Sequence, residues 1–199
     1  MKTIKNFIIV IISVLSVQLA SAQSISMKDP VSFKLKNGLT IIVAENGESK
    51  KIFAGFTADE RATESSKPGV QEVFNVMMNF SDKGGNIAAN TSDFAATLMI
   101  FSKSIQEPAL NQTFFETALA KVITSVNAKD RYYPETITEA SLQAITLNDI
   151  KAFYSKNIIP SNAYLTIVGN ISVSEAKALA KKSFGEWNNR SNSELLATK

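Results

Sequence analysis

The 199-residue chain has no cysteine and no histidine. Those two absences exclude a disulfide framework, a zinc site built on thiolate or imidazole, a haem held by histidine, a Ser-His-Asp triad and a thiol nucleophile. Oxygen-ligand metals, carboxylate chemistry and Ser-Lys chemistry stay open. One-signed charge is also scarce: 21 basic residues stand against 18 acidic ones, interspersed along the chain. The net charge of +3 is therefore no electrostatic footprint for nucleic acid.

The one long apolar run lies at the start. Lys2 and Lys5 precede an unbroken stretch from Phe7 to about Leu15, and small residues end in Ala20, Ser21 and Ala22. The run is shorter than the roughly 20 residues a membrane-spanning helix needs, and the A-x-A pattern offers a cleavage point before Gln23. Residues 1–22 read as a secretory signal peptide, so the expectation is an exported protein, periplasmic or secreted, with no membrane anchor after cleavage. With no cysteine behind the run, a lipid anchor is not expected either. The 199 residues less 22 leave 177, enough for one domain with a sizeable core, and loss of Lys2 and Lys5 takes the net charge from +3 to +1.

Val31, Phe33 and Leu35 alternate with polar residues, Asn37-Gly38 supplies a turn, and Leu39, Ile41 and Val43 alternate again, which predicts a hairpin. Ile52 to Ala58 reads as a third strand, followed by a polar linker, DERATESSKPG. Val70, Val73, Phe74 and Met77 recur at helical spacing. Ser81 to Asn86 reads as a turn and the apolar Ala96 to Phe101 as a buried strand. Thr113 with Glu116 reads as a capping box for a helix burying Phe114, Phe115, Ala118, Leu119, Val122, Ile123 and Val126. A brief helix over Ile137 to Ile145, a helix capped by Thr146 and Asp149, a strand over Ala163 to Val168 and a last helix capped by Ser172 and Glu175 complete the reading. The whole predicts an α+β domain over residues 23–187, a mainly antiparallel sheet with helices packed on one face, and a polar tail over 188–199.

Two segments carry a resemblance. Asn37-Gly38-Leu39 opens a strand near the start. Pro160, Asn162, Ala163, Leu165, Ile167, Val168 and Gly169, then Phe184-Gly185 and Trp187, form a strand and helix near the end. Both resemble the insulinase/pitrilysin family of zinc metallopeptidases, peptidase family M16. Active relatives carry a G-x-x-H-x-x-E-H helix in which two histidines hold zinc and a glutamate activates water. Aligned on Gly69, that motif puts Glu72 and Val76 at the histidines and Asn75 at the glutamate. Valine cannot ligate a metal and an amide cannot act as a general base. A third ligand belongs near Thr124 or Ser125, neither of them an acid. The resemblance thus implies the family fold with no metal, no cofactor and no catalytic residue.

Relatives also carry a G-G-x-x-N-A-x-T-S strand that pairs with bound peptide. Here it reads Gly84 to Ser92 with Ala88 at the amide position, making Ala88, Ala89 and Asn90 candidates for main-chain pairing with peptide. An ordinary strand and turn is the simpler account. Glu72 and Asn75 read equally as a solvated helix face, Ser174 and Lys177 as surface residues rather than an S-x-x-K nucleophile, and Arg131, Tyr132 and Tyr133 as a shortened loop rather than a peptide grip. Family peptidases pair a metal-bearing domain with an inert one, so the expected role is a non-catalytic partner of an active M16 peptidase, or a holder of unfolded peptide. A metallopeptidase with a relocated or partner-supplied metal, and a degenerate fragment without a selected role, are the alternatives.

Overall fold

In a computed structural model of the chain, described for residues 28–58, 67–80, 84–129 and 131–188, five strands form one sheet. These are β1 (Val31–Lys34), β2 (Thr40–Glu45), β3 (Lys51–Ala58), β4 (Gly84–Asn90) and β5 (Ala163–Gly169), in the order β1-β2-β5-β3-β4. Pairing is antiparallel except between β2 and β5, which run parallel. The helices are α1 (Val70–Met78), α2 (Thr91–Gln106), α3 (Gln112–Ala128), α4 (Glu139–Gln143), α5 (Leu147–Asn157) and α6 (Val173–Phe184). The signal-peptide reading, most of the polar linker, residues 81–83 and the tail beyond Asn188 lie outside the described residues.

Period-2 patterning decides which face of the sheet is covered. Ile41, Val43, Ile52, Ala54, Phe56, Leu165 and Ile167 are buried, while Phe53, Ala88 and Tyr164, one residue out of phase, are exposed. Each fully buried large side chain contributes roughly 1.5–3 kcal/mol, so a one-residue slip of any central strand is prohibitive. The predicted hairpin forms at Asn37-Gly38. Gly38 sits at φ 94°, where a Cβ would also lie 3.1 Å from Ser161, so glycine suits both the torsion and the space.

Three expectations are corrected. Ala96 to Phe101 is not a strand but part of α2. Phe94, Leu98, Phe101 and Ile105 are buried at helical spacing, whereas Met99 and Ile100 face outward; an apolar run read without its flanks cannot separate the two periods. Helix α3 is capped by Asn111, whose side chain accepts from Phe114 N–H, and not by Thr113; Phe114 consequently faces out, 52% exposed. The turn read over Ser81 to Asn86 gives way at Gly84, where β4 begins. Gly84 has φ 136° and its missing Cβ would lie 1.8 Å from the Phe56 carbonyl, so glycine is required for the strand to approach β3.

Long-range polar bonds tie the helices to one another and to the first turn. Tyr154 donates to the carbonyls of Ile105 (2.9 Å) and Gln106 (2.8 Å), and burial, with Glu107 adding to it, holds the phenol well above the usual tyrosine range, so it remains a donor. Gln106 Nε2 donates to Ser183 O at 2.9 Å. At the hairpin, Asn37 Nδ2 donates to Phe184 O (2.7 Å) and Trp187 O (2.8 Å), holding the end of α6 against the first turn. Phe184 and Trp187 are buried there, with Trp187 against Phe56 at 6.0 Å between ring centroids.

Removing that amide leaves two carbonyls without their donor, each such loss costing roughly 1 kcal/mol or more. Asn37→Ala is expected to lower the unfolding free energy by about 2 kcal/mol, read in a urea titration of the single tryptophan's fluorescence. A change below about 0.5 kcal/mol would contradict the clamp.

Candidate functional site

Helix α1 is held from two sides. Its apolar stripe, Val70, Val73 and Phe74, is buried, and the Phe74 ring meets Phe153 at 5.2 Å, Tyr154 at 6.2 Å and Phe80 at 6.2 Å. Just before the helix, Lys67 Nζ reaches Asp149 Oδ2 at 2.7 Å and Ala144 O at 3.1 Å. Asp149 also accepts from Thr146 N–H at 2.8 Å, and Asp149 N–H donates to Thr146 Oγ1 at 3.3 Å, so the box that starts α5 also anchors the approach to α1.

The opposite side of α1 faces α3. Val76 lines a cleft of about 580 Å³ with Thr124 and Ser125, the two positions aligned with the missing third ligand. Of the aligned α1 positions, Val76 alone shares this cleft with them. Arg131 and Tyr133 complete the wall: the guanidinium carbon lies 4.5 Å from the Tyr133 ring centroid, and Tyr133 OH is 2.9 Å from Ser125 Oγ. Tyr132 is 89% exposed and takes no part in the cleft. Glu72 and Asn75 are half-buried on α1 and do not line the cleft.

These residues do not fit a zinc ion. A valine and two hydroxyls face one another where the metal would need nitrogen, sulfur or carboxylate donors. Thr124 Oγ1 is engaged with Ala120 O at 2.9 Å. Among the described residues no group of three Asp or Glu side chains comes together that could hold a metal elsewhere.

The peptide-pairing candidates lie on β4, the outermost strand beyond β3. Ala88 pairs with Phe53 and Asn90 with Lys51, both exposed on the open face, while Ala89 pairs with Ile52 and is half-buried. Asn90 is also the N-cap residue of α2, so the strand ends there. Ser174 and Lys177 are not brought together as a nucleophile and base: Ser174 Oγ is 3.1 Å from Ser172 Oγ, and Lys177 Nζ lies 5.2 Å from the Phe33 ring centroid. The sequence reading missed Thr117 and Lys121, which also line the cleft. Their spacing with Ser125, four residues each along one face of α3, was the available signal.

Residues 144–198 match the family model described as the peptidase M16 inactive domain. No curated protein matches the chain by sequence. Among solved structures, the fold is similar to that of a protease from Helicobacter pylori, at 18% identity and a TM-score of 0.69, covering 82% of this chain and 51% of that one. It is similar to the first half of the periplasmic protease PqqL from Escherichia coli, at 12% identity and TM-score 0.70, covering 81% and 47%. A peptidase M16 inactive domain from Pseudomonas fluorescens gives 16% identity and TM-score 0.65, covering 81% and 51%. The described residues share the α+β fold of M16 peptidase domains, and the chain spans about half the length of these structures.

Two outcomes follow from this geometry. If the α1 and α3 positions face each other as ligand positions do, the combined substitutions Glu72→His, Asn75→Glu, Val76→His and Ser125→Glu should give one zinc per chain by elemental analysis, whereas the variant without Ser125→Glu should bind it at least about tenfold more weakly. Asp149 provides the second. Burial opposes its ionisation, but hydrogen bonds from Lys67 and Thr146 outweigh it and hold the carboxyl below the usual carboxylate range. A carboxyl lowered by folding stabilises the protein above its unfolded pKa and loses that contribution as pH falls through the folded value. Asp149→Asn should therefore be less stable than the parent at neutral pH, with the gap closing as urea titrations move below the usual carboxylate range.

Proposed function

We propose that the chain is an exported, non-catalytic M16-type domain that holds extended peptide along β4 and serves as the partner of an active M16 peptidase. The observation that supports it is the survival of α1 without its chemistry. The helix keeps its apolar packing and its place opposite α3, while valine and hydroxyls stand at the positions that would carry metal ligands. Burial of Val70, Val73 and Phe74 supplies the reason to fold, and the half-buried positions aligned with the family motif, Glu72, Asn75 and Val76, contribute less to it.

The match to an inactive domain and to about half the length of larger proteases supports a partner role, because a scaffold of this kind encloses substrate only together with a second, metal-bearing domain. The edge position of β4 supports peptide capture, since main-chain pairing asks for an open strand edge and not for a particular side chain. Export rests on residues 1–22.

Hydrogen exchange read by mass spectrometry tests the peptide role. An unstructured peptide should slow exchange over residues 84–90, and the peptide itself should remain uncut after prolonged incubation. Affinity capture from the exported fraction of the source organism should recover an M16 peptidase. Chelator-sensitive cleavage by the purified chain would instead establish a metallopeptidase with a metal held elsewhere.

A further inference from the structure

The open face of the sheet carries one apolar row that runs out to its edge. Val168 of β5 pairs with Phe53 of β3, and Phe53 pairs with Ala88 of β4, so the three side chains share one face and one line across the strands. Val168 is half-buried, Phe53 is 50% exposed and Ala88 is exposed. The rows beside it are polar. On one side Asn86 pairs with Gly55, and a Cβ on Gly55 would lie 2.7 Å from Asn86 Oδ1, so the glycine makes room for the amide to lie across β3. On the other side Lys51 pairs with Asn90. The Phe53 row therefore stands between polar neighbours and narrows to a methyl group at the last strand.

What covers the ring follows from the edge next to it. Strand β4 is outermost among the described residues, so its outer N–H and C=O groups are the ones an extended main chain would pair with. A strand added there alternates its side chains between the two faces, and the residue opposite Ala88 falls into the Phe53 row. Strands lie about 4.8 Å apart, which puts that residue two spacings, about 10 Å, from Phe53. A small side chain at that place leaves the space above the Ala88 methyl unfilled. A large apolar one reaches across it to the ring, and two aromatic rings attract at centroid separations of about 4.5–7 Å.

We propose that Phe53 sets the sequence preference of the β4 edge, which takes an extended peptide carrying an aromatic or large aliphatic side chain opposite Ala88. The proposal deepens the peptide-holding reading and rests on it for the pairing along β4.

Calorimetric titration with blocked heptapeptides tests it, each of six threonines around a central Phe, Leu, Ala or Lys. The Phe and Leu peptides should bind at least about fivefold tighter than the Ala peptide, and the Lys peptide no tighter than the Ala peptide. Phe53→Ala should bring the Phe and Ala peptides within about twofold of each other. Phe53→Thr keeps a strand-favouring side chain at this half-exposed position and should do the same, which separates loss of the ring from loss of the fold. A preference for Phe that survives in Phe53→Thr overturns the role of the ring. Equal affinity of all four peptides, with exchange slowed over residues 84–90, overturns the preference and leaves capture along β4 intact. If no peptide binds and exchange over residues 84–90 is unchanged, capture along β4 fails and the preference fails with it.

Discussion

Asn37 sits in the first turn of the sheet, and its side-chain amide donates to the carbonyls of Phe184 and Trp187 at the other end of the described chain. Its Oδ1 meanwhile accepts from Leu39 N–H, so one side chain shapes the hairpin and closes the last helix. Phe184 O also accepts from Trp187 N–H at 3.2 Å, so the amide of Asn37 and the last turn of α6 share one acceptor beside buried Trp187. Strand β2, reached directly from this turn, pairs with β5, and β5 leads into α6. The contact therefore closes a loop of structure that begins with β2 and returns to it. Without it the parallel β2-β5 pair would lose its cover at one end.

That closure leaves α1 free to carry different residues on its two sides. The buried stripe of α1 points toward Phe153 and Tyr154, while Val76 lines the cleft beside α3. Stability and chemistry occupy different sides of one helix. Val76, on the second side, is only partly buried against the core, so its identity is less constrained by packing than that of Val73 or Phe74. Tyr154, Gln106 and the Lys67-Asp149 pair add polar ties at helix ends, which set where α1 lies and not what it carries.

Much of this was legible in the residues because local rules and the fold agreed. The alternation of Ile41 and Val43, the Asn-Gly turn, the Thr146-Asp149 box and the Ser172 cap each encode their element within a few positions. Residues 96–101 misled because their five apolar side chains, with Thr97 among them, suit a buried strand as well as a helix, and only Phe94 and Ile105, outside that window, reveal the longer period. Asn111 was passed over for Thr113 because both fit a cap and the choice depends on where the chain turns after Pro108. The absence of the metal motif is plain from the missing histidines, and Val76 lines one cleft with Thr124 and Ser125. What could not be read was the company of Arg131 and Lys121. They are ten residues apart on different elements, and only the packing of α3 against α1 puts both beside Val76.

The cleft's charge carries the argument one step further. A metal site gathers anionic and neutral donors around a cation, and when the ligands are lost the recess remains because α1 and α3 are held apart by packing elsewhere. An empty recess lined by valine and hydroxyls would be neutral. Here two basic side chains reach it, one stacked on a ring that is bonded to Ser125. Ordering a long basic side chain costs conformational entropy, and stacking on Tyr133 offsets part of that cost.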